Sequence, residues 1–244
     1  MPTPIKIKSR LTAISRWADD VFKLDFAVEK KHARFRPGQF LHLTLNEFDP
    51  TQAYWPESRV FSICSAPRTD ALSIIYSVKG SYTRRMSDEM REGEEYWLKL
   101  PYGDFIIDQL VPAGETAVLI AGGTGISPYV AFIEHGLEVG FSQHVYLAYA
   151  VRSSDRLVFP ELLQRAHASE AIRLRVWSEL ANSGSDVITD AGRLDIDAIV
   201  NDVAEMPTPH YLLSGPPAML EQLRNRLIGT YGVDQNTIHV DEWE

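Results

Sequence analysis

The sequence has 244 residues, of which 45% are hydrophobic, so it can form one large domain or two smaller ones with ordinary cores. Its formal charge of −9 and pI near 5.3 argue against a nucleic-acid-binding or anionic-membrane-binding surface. The single cysteine, Cys64, excludes an intrachain disulfide and a four-cysteine iron–sulfur cluster within these residues. No apolar run approaches the roughly 20 residues of a membrane span, and residues 1–10 lack a signal-peptide core, so we expect a cytoplasmic protein.

The first half of the chain predicts antiparallel strands. Phe22, Leu24, Phe26 and Val28 recur at period two, which is the spacing of a half-buried strand. The same alternation recurs at Leu41, Leu43 and Leu45, at Leu72, Ile74, Tyr76 and Val78, and at Tyr96, Leu98 and Leu100. One short helix is expected around residues 84–90. Six or so strands with little helix predict an antiparallel β-barrel over residues 1–110, with a domain boundary near residue 110.

A further strand is predicted over residues 59–67, with Arg59, Phe61, Ile63 and Ser65 on one face. It carries a fixed cation, an aromatic ring and a hydroxyl within four residues. By itself this pattern is more typical of a plain barrel strand with an exposed arginine and a core phenylalanine.

The second half begins with an unbroken apolar run at 117–121, which predicts a strand buried on both faces. Gly122, Gly123 and Gly125 follow and predict a tight turn without Cβ atoms in the way of a ligand. Pro128 suits the first position of a helix, whose free N–H groups and dipole favour a phosphate. A purely structural turn is the alternative.

Strands and helices alternate from there to the end of the chain, which predicts an α/β doubly wound parallel sheet over residues 111–244. The expected strands cover 145–150, 172–177 and 211–213, and the expected helices cover 128–139, 158–168 and 196–203. Ligands bind at the carboxyl ends of such strands. Arg152 and Ser153 are expected to begin one of the turns there, with an adenosine-phosphate role.

Five motifs in register resemble those of the ferredoxin–NADP⁺ reductase superfamily. They are Arg59-Val60-Phe61-Ser62 with Ser65, Gly80-Ser81-Tyr82-Thr83, Leu100-Pro101-Tyr102-Gly103-Asp104-Phe105, the turn at 122–128, and Ser214-Gly215-Pro216-Pro217-Ala218-Met219. The resemblance covers nearly the whole chain. It implies a flavin-binding antiparallel barrel followed by a nicotinamide-nucleotide-binding domain, in agreement with the two halves above.

For the flavin, the resemblance implies that Arg59 holds a phosphate and that Ser62 directs its hydroxyl at flavin N5. Phe61 replaces the usual tyrosine, so ring packing is kept but the phenolic hydrogen bond is lost. Ser65 belongs to the same cofactor-binding motif. Gly80, Ser81 and Thr83 fall where the pyrophosphate is received at a helix start, although they could also be plain helix caps. The resemblance to the family implies FAD in preference to FMN.

For the nucleotide, the resemblance assigns cofactor contacts to Gly123, Thr124 and Gly125, and to Gly215, Pro216 and Met219. Ser214 stands where most relatives have a cysteine beside the nicotinamide, so it is a candidate catalytic residue. Glu179, just after the third strand, would repel a 2′-phosphate and favours NADH over NADPH. The arginines that could still supply a cation are Arg152, Arg156, Arg173, Arg175 and Arg193.

The last residues, 238–244, match a short carboxyl tail in which a near-terminal aromatic stacks on the flavin. By that match Trp243 covers the flavin, and Asp241 is a candidate catalytic proton or hydrogen-bond partner. A final strand with a frayed acidic tail is the alternative.

These motifs predict a flavin-dependent NAD(P)H oxidoreductase with Ser62, Ser214 and Asp241 as candidate catalytic residues and no metal site. Since no cluster can be ligated by these residues, we expect electrons to pass to a separate ferredoxin, flavodoxin or oxygenase component. A free-flavin or ferric-chelate reductase is one alternative. The other is a non-catalytic nucleotide-binding regulatory subunit, which the departures at Phe61 and Ser214 favour.

Overall fold

A computed structural model describes residues 3–29, 31–32, 34–67, 69–180, 187 and 189–241. Two compact units are present: residues 1–104 with 127–132, and residues 105–126 with 133–244. We call them the barrel unit and the α/β unit. No helix of the described residues is both long and apolar enough to span a membrane.

The barrel unit is a six-stranded antiparallel sheet in the order β4-β3-β6-β1-β2-β5. Its elements are β1 (Ile5–Ala18), β2 (Val21–Ala27), β3 (Phe40–Thr44), β4 (Arg59–Ser62), β5 (Ala71–Ser77), α1 (Ser81–Glu89) and β6 (Glu95–Tyr102). A bridge between Ile63 and Ile74 joins the chain after β4 to β5 at the opposite edge, so the barrel is nearly closed. The predicted antiparallel barrel is confirmed.

The alternating residues that predicted these strands form the barrel core. Leu24, Phe26, Leu41, Leu43 and Leu98 are fully buried, as the period-two pattern requires. Each such side chain contributes about 1.5–3 kcal/mol of burial free energy.

Three details of the barrel unit differ from the sequence prediction. The long strand β1 was not predicted, because register shifts between Leu11 and Ala13 and between Arg16 and Ala18 interrupt its alternation. The predicted strand at 59–67 ends at Ser62, because the chain then changes its bonding partner. The Ile63 N–H donates to Gln39 O, next to β3, whereas the Cys64 N–H donates to Ser73 O in β5. This change of partner buries 63–66 together, so the predicted common face does not extend to Ser65.

The third concerns α1, which begins at Ser81 and not near Arg84. The Thr83 hydroxyl accepts the N–H groups of Lys79 and Gly80 at 2.9 and 3.1 Å and so fixes the earlier start.

The α/β unit is a six-stranded parallel sheet in the order β10-β9-β8-β7-β11-β12. The remaining elements of the chain are α2 (Ile107–Leu110), β7 (Thr116–Gly122), α3 (Ser127–Val139), β8 (His144–Ser153), α4 (Pro160–Ala168), β9 (Arg173–Leu180), β10 (Asp190–Ala191), α5 (Ile196–Val203), β11 (Pro209–Ser214), α6 (Pro217–Gly229) and β12 (Ile238–Val240). The chain runs outward from β7 through β8 to β10 and returns to β11 on the other side of β7. This reversal confirms the predicted doubly wound sheet.

One face of this sheet is covered by α5 and α6. Ile199 and Val203 of α5 and Leu223 and Leu227 of α6 pack with the apolar side chains of β7, β8 and β11. The central strand β7 is buried along its whole length, as the apolar run predicted.

Two strands of the α/β unit extend beyond their predicted ends. Ser153 pairs with Leu180, so β8 and β9 continue together. Arg152 and Ser153 are therefore the last residues of β8, and the prediction that they begin a turn is wrong. A short 3₁₀ turn, Gly123–Ile126, precedes α3, which begins at Ser127 and places Pro128 at its second position.

Candidate cofactor and active site

The glycine turn after β7 packs against the start of α6. A Cβ at Gly125 would lie 2.6 Å from the carbonyl carbon of Ser214 and 2.7 Å from Gly215 Cα. A Cβ at Gly122 would lie 2.7 Å from Met219 Sδ and 2.9 Å from Pro216 Cδ. These two glycines therefore allow one loop to touch the other, which is a different role from the predicted clearance for a ligand.

Gly123 has the conformation and the surroundings that a ligand-facing turn requires. Its φ of +56° favours glycine, and no heavy atom lies within 4 Å of the position of a Cβ. Thr124 follows it in the same half-exposed 3₁₀ turn. The predicted nucleotide motifs at 122–125 and 214–219 are thus brought together at the carboxyl ends of β7 and β11.

A buried pair of polar side chains, Ser214 and Asp241, lies beside this turn. The Ser214 hydroxyl donates to Asp241 Oδ2 at 3.0 Å, and the Asp241 N–H donates to Leu213 O at 2.9 Å. Ser214 is fully buried and Asp241 is 7% exposed. The two residues are 27 positions apart, and the parallel pairing of β11 with β12 brings them together.

The environment of Asp241 changes its protonation. Burial raises the pKa of the Asp241 carboxyl from 3.8 to about 7, and the hydrogen bond from Ser214 opposes only part of that shift. At neutral pH the carboxyl therefore exists in both protonation states, which suits a group that takes up and releases a proton.

The start of α6 supplies the other predicted nucleotide contacts. Pro216 precedes the helix as its N-cap residue, and Gly215 lies between it and the end of β11. Met219 is partly buried, packs against the core of the α/β unit and contacts the turn at Gly122. Its contact with a ligand stays a prediction.

In the barrel unit, the predicted phosphate-binding residues lie next to one another. Arg59 is half-exposed, and its guanidinium carbon lies 4.7 Å from the ring centroid of Tyr82 in the first turn of α1. The same guanidinium donates to Ser58 O at 2.9 Å and to Glu57 Oε1 at 3.1 Å. A fixed cation and a helix N-terminus therefore adjoin, which is an arrangement suited to a phosphate.

Tyr82 and Glu57 received no role from the sequence. The Tyr82 hydroxyl donates to Leu43 O at 2.8 Å, so the ring that carries Arg59 is anchored to β3. The position of Tyr82 inside the motif 80–83 was the available signal. Glu57 gave no signal, because its relation to Arg59 depends on side-chain geometry.

The start of α1 combines a helix cap with free backbone donors. Gly80 is the N-cap residue, Ser81 is exposed at the first helical position, and the Thr83 hydroxyl is committed to the backbone around Gly80. The first intrahelical bond is from Arg84 N to Gly80 O, so the N–H groups of residues 81–83 have no acceptor within the helix. The cap interpretation of Thr83 is confirmed, and it leaves those backbone donors available.

The remaining residues of the strand motif are buried. The Phe61 ring packs edge-on against Tyr76, with centroids 6.1 Å apart, and Ser65 Oγ accepts the Ser73 N–H at 3.1 Å. Ser62 is 3% exposed, and its hydroxyl has no hydrogen-bond partner among the described residues. Because buried hydroxyls are almost always bonded, this unused capacity fits a polar atom of a bound cofactor.

The charges near the end of β9 are largely paired. Glu179 forms an ion pair with Arg193 at 3.5 Å, and Arg175 bonds both Asp190 and Asp202 at 2.9 Å. Arg152 is exposed and Ser153 is buried at the end of β8. Trp243 lies outside the described residues, and no three His, Cys, Asp or Glu side chains of the described part of the chain form a metal site.

Comparison with known proteins agrees with this architecture. Residues 6–127 match the model of an FAD-binding domain, and residues 119–225 match that of an oxidoreductase NAD-binding domain. A ferredoxin NADP⁺ reductase structure from Neisseria gonorrhoeae, with bound FAD and NADP, superposes with a TM-score of 0.77 at 17% identity, covering 97% of this chain and 98% of that one.

Two curated relatives have similar sequence identity to this chain but differ in how much of their own length it covers. A flavodoxin/ferredoxin–NADP reductase from Buchnera aphidicola is 24% identical, with 88% of this chain and 87% of the relative covered. The ferredoxin–NAD(P)⁺ reductase component of a naphthalene 1,2-dioxygenase system from Pseudomonas putida is 27% identical, over 89% of this chain and 63% of the relative. The chain spans 41 to 64% of the length of several other curated relatives.

The fold and the matched domains together define a flavin- and nicotinamide-nucleotide-dependent oxidoreductase. The chain belongs to the ferredoxin–NADP⁺ reductase superfamily, as its five motifs predicted. Its cofactors are accordingly FAD and a nicotinamide nucleotide, and the predicted roles of individual residues stay predictions.

Proposed function

We propose that this protein takes electrons from a nicotinamide nucleotide through FAD and delivers them to a separate carrier protein. One observation carries the choice of a carrier protein as acceptor: relatives of this chain are named as reductase components of oxygenase systems. The single cysteine within these 244 residues cannot ligate a four-cysteine cluster, so a cluster that accepts the electrons would lie outside them. A ferredoxin, a flavodoxin or an oxygenase component is the proposed acceptor.

In the barrel unit, Arg59 and the start of α1 would hold the FAD phosphates. The guanidinium offers a two-pronged donor, and residues 81–83 offer backbone N–H groups at the positive end of the helix. Glu57 competes for the same guanidinium, so it limits the affinity for phosphate. Phe61 supplies packing only.

Ser62 would meet the reactive part of the flavin. When bound, FAD accepts a hydride from the nucleotide and releases electrons one at a time. The unpaired Ser62 hydroxyl can donate to or accept from a ring nitrogen without breaking an existing hydrogen bond, because it has no partner among the described residues. It therefore orients the ring at little energetic cost.

In the α/β unit, Ser214 and Asp241 would orient the nicotinamide. While Ser214 donates its hydrogen to Asp241, its oxygen lone pairs stay open to a donor such as a carboxamide N–H. When Asp241 takes up a proton, the carboxyl can donate to Ser214 Oγ and release the serine hydrogen. The pair thus changes the donor character of Ser214 at a pH near 7.

Glu179 supports NADH as the preferred nucleotide. Its carboxylate repels a 2′-phosphate and accepts hydrogen bonds from ribose hydroxyls. Arg193 offsets part of this charge, so we expect a preference for NADH and not an absolute exclusion of NADPH.

The acceptor is tested by comparing carriers in one assay. Purified holoprotein would be given NADH with ferricyanide, with a [2Fe–2S] ferredoxin plus cytochrome c, with a flavodoxin plus cytochrome c, and with free FMN or ferric citrate. We expect ferricyanide reduction and carrier-dependent cytochrome c reduction. Faster reduction of FMN or ferric citrate, together with flavin loss on gel filtration, would contradict a protein acceptor and favour a free-flavin or ferric-chelate reductase.

A further inference from the structure

A row of protonatable side chains lies along one face of the parallel sheet and leads from its carboxyl edge towards its amino edge. Asp241 directly follows β12 and His239 is two residues before it, so both side chains are on the same face. Val240, between them, packs on the opposite face with α5 and α6. By the same alternation His210 and Ser214 of β11 share the first face, where Ser214 donates to Asp241.

The two histidines of this face stack on each other. The ring centroids of His210 and His239 are 5.8 Å apart, and the rings are within 5° of parallel. His210 Nδ1 and His239 Nε2 are buried and have no hydrogen-bond partner among the described residues. Stacked rings do not donate to each other and buried ring nitrogens are almost always bonded, so water is the partner that suits both nitrogens.

The other nitrogen of His210 is bonded to a carboxylate near the surface. His210 Nε2 lies 2.5 Å from Glu115 Oε2. If Nε2–H donates to this carboxylate, Nδ1 of the neutral ring is an acceptor, so a proton taken up at Nδ1 can leave from Nε2. The side chain of His210 is 11% exposed and that of Glu115 is 32% exposed. The row Asp241, His239, His210, Glu115, which we call the acid–histidine row, therefore reaches solvent just before β7.

The buried end of the acid–histidine row has groups of similar acidity. Burial raises the pKa of Asp241 to about 7, whereas burial lowers the pKa of His239 from 6.5 and the neighbouring His210 lowers it further. A proton therefore passes between carboxyl and imidazole at little energetic cost. Residues two apart on a strand are separated by about 6.6 Å, a gap that two side chains and one bridging water span.

Few other charges act on this row. In the described part of the chain no lysine or arginine pairs with Asp241 or Glu115. His144, at the start of β8, lies opposite Thr116 in the sheet but is exposed. The protonation of the acid–histidine row is therefore controlled mainly by burial and by its own members.

We propose that His239, His210 and Glu115 carry protons between the buried carboxyl of Asp241 and solvent. The proposal rests on the proposed function, in which oxidation of one NADH by one-electron carriers gives NAD⁺, two electrons and one proton. The electrons leave on the carrier, and the Asp241 carboxylate takes up the proton. The carboxyl O–H then passes its proton to His239, and the imidazolium passes it to His210 Nδ1. His210 releases a proton from Nε2 to Glu115, which gives it to water, so every group returns to its starting state.

The test follows the Asp241 proton by rapid infrared spectroscopy of the holoprotein after a jump from pH 5 to pH 8, across its pKa of about 7. The C=O band of the protonated carboxyl, identified by its loss in Asp241→Asn, decays as the proton leaves. His239→Phe and His210→Phe keep a ring in the stack that cannot carry a proton. His144→Phe is the matched control at the same edge of the sheet. Glu115→Gln changes a partly exposed side chain and carries the test should a phenylalanine variant not fold.

We expect the carboxyl band to decay about tenfold more slowly in H239F and H210F, and several-fold more slowly in E115Q, with H144F matching the wild type. Bound-flavin absorbance and thermal unfolding confirm that each variant is folded. Unchanged decay in H210F and E115Q, whether or not H239F is slower, would overturn the path to Glu115. A wild-type protein without a carboxyl band that D241N removes would overturn the protonation of Asp241 and the path together. A flavin that NADH does not bleach, beside the expected infrared result, would count against the proposed function alone.

Discussion

The glycine turn of the α/β unit and the Arg59 strand of the barrel unit carry motifs of similar length, but the protein holds them differently. Around Gly125, backbone packs on backbone with no space for a methyl group. Around Arg59, the contacts are polar or cation–π and half-exposed, and a nearby hydroxyl, that of Ser62, has no described partner. Substitutions in the turn should therefore report on folding, whereas substitutions in the strand should report on cofactor binding.

The largest effect is expected from Gly125→Ala. Its new Cβ would meet the backbone of Ser214 and Gly215, which cannot move as a flexible side chain can, so we expect a loss of about 3 kcal/mol in the free energy of unfolding. Gly123→Ala has space and suffers only its positive φ, so it should lose about 1 kcal/mol. Gly229→Ala, with no heavy atom within 4 Å of its Cβ position, is the control. Urea unfolding measures all three, and equal losses at 123 and 125 would contradict loop-on-loop packing.

We expect the titration of Asp241 to change the free energy of unfolding with pH by about as much as Gly125→Ala does. Its folded-state pKa, near 7, exceeds the value of 3.8 expected for an exposed aspartate, so its stabilising contribution is complete below pH 3.8 and is lost as the pH rises through 7. At about 1.4 kcal/mol per pKa unit, wild type should lose about 3 kcal/mol relative to Asp241→Asn between pH 5 and pH 8.

Urea unfolding of both proteins across this pH range measures that difference. Glu221→Gln, an exposed substitution on α6, controls for the general effect of removing a carboxylate. If the stability curves of wild type and D241N run parallel, the carboxyl does not titrate near neutrality.

The effect of Arg59 should appear in cofactor affinity. Arg59→Ala removes a charged donor for the FAD phosphates, so we expect FAD to bind about 30-fold more weakly, equivalent to about 2 kcal/mol. Glu57→Gln releases the guanidinium from its competitor and should tighten binding. Fluorescence titration of the apoprotein with FAD measures both, and Arg16→Ala is the control. Unchanged affinity in R59A would place the phosphates elsewhere.

The smallest effects on stability are expected at Ser62 and Ser65, two buried serines of the same segment whose substitutions should act in opposite directions. Ser62→Ala removes an unsatisfied hydroxyl and should stabilise the apoprotein by about 1 kcal/mol, while reducing the further stabilisation that FAD provides. Ser65→Ala removes the acceptor of the Ser73 N–H and should destabilise the apoprotein. Thermal unfolding with and without FAD measures both. A loss of apoprotein stability in S62A would show that its hydroxyl is already satisfied by the protein.

The accuracy of the sequence prediction followed the regularity of the local pattern. The strands at Leu24, Leu43 and Leu98 and the helix at 196–203 were predicted because one face of each is apolar at the period of its structure. β1 was not predicted because its register shifts twice, and β4 was predicted too long because the chain changes partners after Ser62. Neither the register shifts of β1 nor the change of partner after Ser62 can be predicted from local periodicity.

In the candidate site, too, local motifs identified single residues but not the contacts between residues that are distant in the sequence. The motifs identified Ser214 and Asp241 separately, but the bond between them depends on the pairing of β11 with β12. The roles of Gly122 and Gly125 likewise depend on side chains and backbone about ninety residues further along the chain, which a turn motif does not specify. Glu57 became visible only through its contact with Arg59.

The central claim is tested most directly by the visible spectrum of the purified holoprotein, recorded anaerobically before and after addition of NADH and, in a second sample, of NADPH. We predict a bound-flavin band that both nucleotides bleach, with NADH faster, as the carboxylate of Glu179 favours. A colourless protein that cannot be reconstituted with FAD or FMN, or a bound flavin that neither nucleotide bleaches, would contradict the account and favour a non-catalytic nucleotide-binding subunit.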